Sequence, residues 1–153
     1  MVSRRNSGFS DEGLVIKADL DLVRKAATKV IYEFEESIES PDGSVVKDMT
    51  KIKEGDQVVF RENISPCPAI VVATYLGYDK WYIFTSADCP DTKCDDHQAR
   101  KCARLIAQNF RILQDFFAKK DVKLKSVSEW RMSLAPDDKT QTVVDRATER
   151  WSH

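Results

Sequence analysis

Apolar residues recur along the chain with two periods, one close to 3.6 and one of 2, and these divide it into predicted helices and strands. After a polar stretch over residues 1–12, Leu20, Val23 and Ala27 recur at helical spacing, flanked by Leu22 and Ala26. Asp19 stands where a carboxylate can accept from the unpaired amides of the first turn. Beyond it, Val30, Tyr32 and Phe34 alternate with Ile31, Glu33 and Glu35, the pattern of a half-buried strand. A longer helix through Val30, Ile31, Phe34 and Ile38 competes with this reading. The β-branched and aromatic content favours the strand, as does the mismatch of Glu35, Glu36 and Glu39 with a helix's negative end. Ser40-Pro41-Asp42-Gly43 predicts a turn, and Val45, Val46 and Met49 a returning partner strand. Three further strands are predicted over residues 57–61, 69–76 and 81–85, the last two joined by a hairpin at Gly77-Tyr78-Asp79-Lys80.

The clearest helix follows, over 95–119. Ala99, Cys102, Ile106, Phe110, Leu113 and Phe117 form one apolar stripe. Asp95 and Gln98 fit a capping box, and Lys119 and Lys120 match the negative end. Val122, Leu124 and Val127 predict a short last strand, and 143–151 a short helix. Trp130 and Trp151 are too large to be left in solvent, so docking of one or both on the body is expected. The division is then a flexible leader, 1–12, one α+β domain, 13–135, and a polar tail, 136–153, carrying a short docked helix. The predicted fold is an antiparallel sheet of about five strands in a meander, packed with an N-terminal helix and a long C-terminal helix. That layout is similar to profilin-like and longin-like folds in architecture, without a shared motif.

Composition bounds the function. A chain of 153 residues with 42% hydrophobic and 32% charged positions builds an ordinary globular core. Twenty-four basic against 25 acidic residues leave a net charge of −1, which disfavours nucleic acid as a partner. No apolar run approaches the roughly 18 residues of a membrane span, and the N-terminus has no secretory pattern, so a soluble protein is expected. Four cysteines are too few and too clustered for a secreted disulfide framework, which points to a reducing compartment, the cytoplasm by default or the nucleus.

Four features bear on chemistry. Cys89, Cys94, His97 and Cys102 read C-x4-C-x2-H-x4-C, three thiolates and an imidazole, a known structural zinc set. Their span resembles that of a retroviral-type zinc knuckle, with the second cysteine displaced and the glycines missing. On one helix, however, His97 and Cys102 point about 140° apart, so they cannot share a tetrahedral ion unless the helix starts after Cys102. Used as thiols instead, Cys89 and Cys94 sit between a strand and a helix start, a layout that resembles a thioredoxin-like active site with C-x4-C in place of that family's C-x-x-C. A helix N-terminus there would favour thiolate.

Gly55-Asp56-Gln57-Val58-Val59-Phe60-Arg61 followed by Pro66-Cys67-Pro68-Ala69-Ile70-Val71 resembles the opening of a PWWP-type chromatin module, with Cys67 where that family has tryptophan. The lysine run Lys119, Lys120, Lys123 and Lys125 offers phosphate contacts, though a solvated helix terminus explains it as well. His97 and His153 are the only histidines, and no Ser/His/Asp set or glycine-rich phosphate loop can be composed. With catalytic groups sparse, and three tryptophans and four tyrosines available as anchors, the leading expectation is a non-enzymatic protein-interaction module. It would bind a protein partner or a second copy through a sheet edge or the tail, using Trp130, Trp151 and the lysines. A thiol- or zinc-dependent enzyme centred on Cys89 and Cys94, and a small nucleic-acid or chromatin-binding domain, are the alternatives.

Overall fold

The computed structural model describes residues 13–63, 68–88, 95–133 and 137–151. Among the described residues six antiparallel strands form one sheet in the order β2-β3-β4-β5-β1-β6. The strands are β1 (Leu14–Lys17), β2 (Phe34–Glu39), β3 (Gln57–Glu62), β4 (Ala69–Gly77), β5 (Lys80–Ala87) and β6 (Lys125–Ser126). The helices are α1 (Leu20–Val30), α2 (Asp96–Lys119), α3 (Val127–Ser133) and α4 (Asp138–Trp151). This is the α+β class read from the sequence, with β2 to β5 as the meander and β1 added alongside β5. Among the described residues no helix is long and apolar enough to cross a membrane.

The period-2 pattern splits the strand residues between two faces. Leu14, Ile16, Val58, Phe60, Val71, Ala73, Trp81 and Ile83 pack under α1 and α2, meeting Val23, Ala27, Phe110, Leu113 and Phe117. On the opposite face, Val15, Val59, Ile70, Val72, Tyr82 and Phe84 pack with Trp130 of α3 and with Val144 and Ala147 of α4. The sheet is therefore covered on both sides, and the centres of β3 to β5 carry consecutive apolar residues instead of an alternation for that reason.

Both long helices start where their caps predict. The Asp19 carboxylate accepts from the Leu22 amide at 2.9 Å, and that of Asp95 from the Gln98 amide at 2.8 Å. α1 runs on through Val30 and closes with the Ile31 amide donating to the Ala27 carbonyl at 2.9 Å. Ile31 is buried and Tyr32 is exposed, so the strand starts at Phe34 and not at Val30. The helical stripe wins there because Ile31 seats in the core as the helix ends.

The expected return strand at Val45, Val46 and Met49 does not form. β2 pairs with β3 along its full length, from Phe34 opposite Glu62 to Glu39 opposite Gln57. Val45 makes only an isolated bridge to Glu39 and stays 63% exposed, while Val46 packs half-buried against the core with its amide bonded to the Ile38 carbonyl at 2.7 Å, so the contact with β2 is too short to make a strand. Met49–Lys51 is a 3-10 turn capped by Asp48. The last strand is likewise shorter than 122–127. Lys125 and Ser126 pair with Val15 and Leu14, and Val127 already opens α3, its amide bonded to the Gly13 carbonyl at 2.8 Å.

Candidate functional site: the cleft beside the C-terminal helix

Near β2 and β3 the face covered by α4 turns polar. Cross-strand partners share a face, so Ser37, Glu39, Gln57, Arg61 and Thr74 all project toward α4. Glu39 is only 5% exposed and is surrounded by donors. Arg61 Nη1 donates to its Oε2 at 2.6 Å and Nη2 to Oε1 at 3.3 Å, the Ser37 hydroxyl donates at 2.6 Å, and Arg150 Nη2 donates to Oε1. Burial alone would raise the Glu39 pKa. The bonds from Arg61, Ser37 and Arg150 outweigh it and hold the carboxyl at about 2.

The same residues tie α4 to the sheet. Gln57 Oε1 accepts from Arg150 Nη1 at 2.8 Å and from Trp151 Nε1 at 3.0 Å, while Gln57 Nε2 donates to the Thr74 hydroxyl at 2.8 Å. The Arg61 and Arg150 guanidinium carbons lie 5.4 and 4.9 Å from the centre of the Trp151 ring. Both the oxygen and the nitrogen of the Gln57 amide are hydrogen-bonded, which is how a glutamine is tolerated in the core. At the other end of α4, Asp137 accepts from the Thr140 amide at 2.7 Å, and this bond lowers its pKa.

Between α4 and the loops leading into β3 lies a cleft of about 460 Å³. One wall is Pro41, Glu54, Gly55 and Gln57, and the other is the ridge of α4 that includes Lys139, Val143, Arg146, Ala147 and Arg150. The loop wall is pinned from behind. The Gly55 amide donates to the Tyr75 carbonyl at 2.8 Å, the Tyr75 amide to the Asp56 carbonyl at 2.8 Å, and the Lys53 amide to the Asp56 carboxylate at 2.9 Å. Gly55 has φ +98° and would bring a Cβ to 3.3 Å from Pro41 Cγ, so glycine sets both the turn and the narrowness of this wall. Inside the wall, Glu54 Oε1 is shielded from solvent and accepts no hydrogen bond among the described residues.

The β4–β5 hairpin lies close to the loop wall of the cleft, since a Cβ on Gly77 would be 3.9 Å from Glu54 Oε2. At its tip Tyr78 and Asp79 both have positive φ, 53° and 59°. Type I′ turns demand this conformation and normally fill it with asparagine or glycine. Tyr78 nevertheless occupies it, 92% exposed. The tip is held in place by the Ala18 amide, which donates to the Asp79 carbonyl at 2.9 Å.

The residues singled out from the sequence are not gathered at one place. Trp151 lies in the network beside the cleft, but Trp130 is only 5% exposed and packs beneath α3. Its indole therefore serves the core and offers no surface anchor. Lys119, Lys120 and Lys123 are exposed at and beyond the end of α2, and half-buried Lys125 is in β6, at the sheet edge opposite β2. Cys89 and Cys94 lie outside the described residues. α2 begins at Asp96, so His97, exposed, and Cys102, buried, are on one helix. The Gln98 side-chain nitrogen is 3.9 Å from Cys102 Sγ. Among the described residues no three metal-ligating side chains are grouped. In the Gly55–Val71 segment, Val58, Val59 and Phe60 are buried in mid-sheet, and Pro66 and Cys67 lie outside the described residues.

Glu39, Glu54, Tyr78, Arg146 and Arg150 were not singled out as site residues by sequence reasoning, and Gln57 and Arg61 entered only as members of the Gly55–Val71 segment. A usable signal existed in Gln57 and Thr74, polar residues at inward positions of otherwise apolar strands. Compared with known proteins, the chain matches no protein-family model, no curated protein and no solved structure.

Proposed function

We propose that the chain is a non-enzymatic protein-interaction module that engages its partner through the α4 cleft and the adjoining hairpin tip. Tyr78 carries this reading. A bulky residue in the left-handed region costs about 1 kcal/mol relative to the residues such turns prefer, and a fully hydrated aromatic ring returns nothing to the isolated fold. An aromatic held in that way on a fixed hairpin, one residue from the Gly77 that lies near the Glu54 wall of a cleft of ligand size, has the character of an interface anchor. The ionic groups around it support binding more than catalysis. Glu39, Arg61 and Arg150 are engaged in fastening α4, and Lys139 and Arg146 are exposed on one helix wall.

Photo-crosslinking tests the proposal. A benzophenone amino acid replaces Tyr78 in one version of the chain and Gln108, on the outer face of α2, in another. The reading expects a discrete conjugate from position 78, whether with another protein or a second copy, and none from 108. Equal labelling from both positions, or none from 78, overturns it.

A further inference from the structure

Resting on the cleft as the binding surface, we propose that its partner presents a single lysine or arginine, whose charged group is delivered to Glu54, within an otherwise acidic or neutral peptide segment. The argument is an inventory of what the cleft leaves unmet. Gln57 Oε1 already accepts two hydrogen bonds, and Arg150 is committed to Glu39 and Gln57. Asp138 is exposed in the first turn of α4, where the helix itself favours a negative charge. Glu54 Oε1 is different, being shielded from solvent with no donor among the described residues. A buried carboxylate oxygen without a donor is an unfavourable state, and a ligand ammonium or guanidinium relieves it with a charge-assisted bond.

The remaining lining fits such a side chain. Pro41, Val143 and Ala147 supply apolar wall for the methylene stem, which lysine and arginine bury readily. The cleft volume of about 460 Å³ exceeds one such side chain and leaves room for the flanking main chain. Exposed Lys139 and Arg146 on the helix wall oppose a run of basic residues and favour neighbouring carboxylates. One basic residue between acidic ones satisfies both walls.

The test uses the full ¹⁵N-labelled chain and three acetylated, amidated tripeptides, Asp-Lys-Asp, Asp-Arg-Asp and Asp-Met-Asp, the last of similar length without the charge. Saturable amide shifts at Gly55, Val143 and Ala147 are expected with the first two, at least tenfold tighter than with the third. Glu54→Gln should remove that difference by weakening only the lysine and arginine peptides. Its melting temperature should equal or exceed that of the unaltered chain, because no internal donor is lost. A lowered melting temperature shows that Glu54 has an internal partner, and overturns the inference. Equal binding of all three peptides overturns it while leaving the cleft a binding surface. Failure of all three while the Tyr78 conjugate still forms overturns it and spares the interaction reading. Failure of both experiments removes the two together.

Discussion

Replacing Glu39 by glutamine removes one negative charge from beneath two guanidinium groups while keeping the size of the side chain. Its carboxyl is held at about 2 against an ordinary value of 4.5. At about 1.4 kcal/mol for each tenfold change in proton affinity, the folded state stabilises the carboxylate by about 3 kcal/mol. The loss of one member of a buried ion pair gives a separate measure, roughly 3–5 kcal/mol. The Arg61 and Arg150 side chains are 39% and 24% exposed and regain some hydration, so the lower end of that range applies. The pKa is depressed on folding, so this contribution is complete above the ordinary carboxyl range and disappears as pH falls through about 2. Urea unfolding of both proteins, followed by tryptophan fluorescence and circular dichroism from pH 7 downward, measures the difference. It should be about 3 kcal/mol at neutral pH, hold to about pH 5, and shrink toward zero near pH 2. A gap below about 0.5 kcal/mol at pH 7, or one indifferent to pH, would refute the assignment of Glu39 as the charge that fastens α4.

Other changes should act in stated directions. Tyr78→Asn relieves the left-handed tyrosine, so thermal unfolding should show a gain of about 0.5–1 kcal/mol while partner binding is lost. Gly13→Ala would place a Cβ 2.1 Å from Cε1 of the fully buried Tyr82, whose hydroxyl is bonded to Thr148 at 2.9 Å. The ring cannot swing aside, and chemical denaturation should register a loss of roughly 1–3 kcal/mol. Asp95→Ala removes the N-cap of α2, with an expected cost of about 1 kcal/mol and earlier hydrogen exchange in the first turn.

The meander and α2 were legible because their patterns are long. β3, β4 and β5 are six to nine residues long, each with an uninterrupted apolar run (Val58 to Phe60, Ala69 to Ala73, Trp81 to Phe84), and α2 is 24 residues long with a cap at its start. β1 was not read as a strand, because four residues, Leu14 to Lys17, are too few to show a period. The boundary between α1 and β2 was misplaced, since Val30 and Ile31 fit either period and tertiary burial of Ile31 decides. The cleft was hidden for a different reason. Arg150 and Gln57 are 93 positions apart, and Arg150 and Glu39 are 111. Local pattern carries no information on pairs so distant. Trp130 was read both as docking on the body and as a binding anchor, since size alone serves either role, and its burial fits the first.

The claim that the cleft and hairpin tip are the binding surface is tested most directly by hydrogen exchange on the complex purified through the Tyr78 conjugate, compared with the free chain. The account predicts new protection at residues 53–57, at 77–80 and along 138–150, with the outer face of α2 unchanged. Protection confined to that outer face, around Arg104 to Asp115, would contradict it.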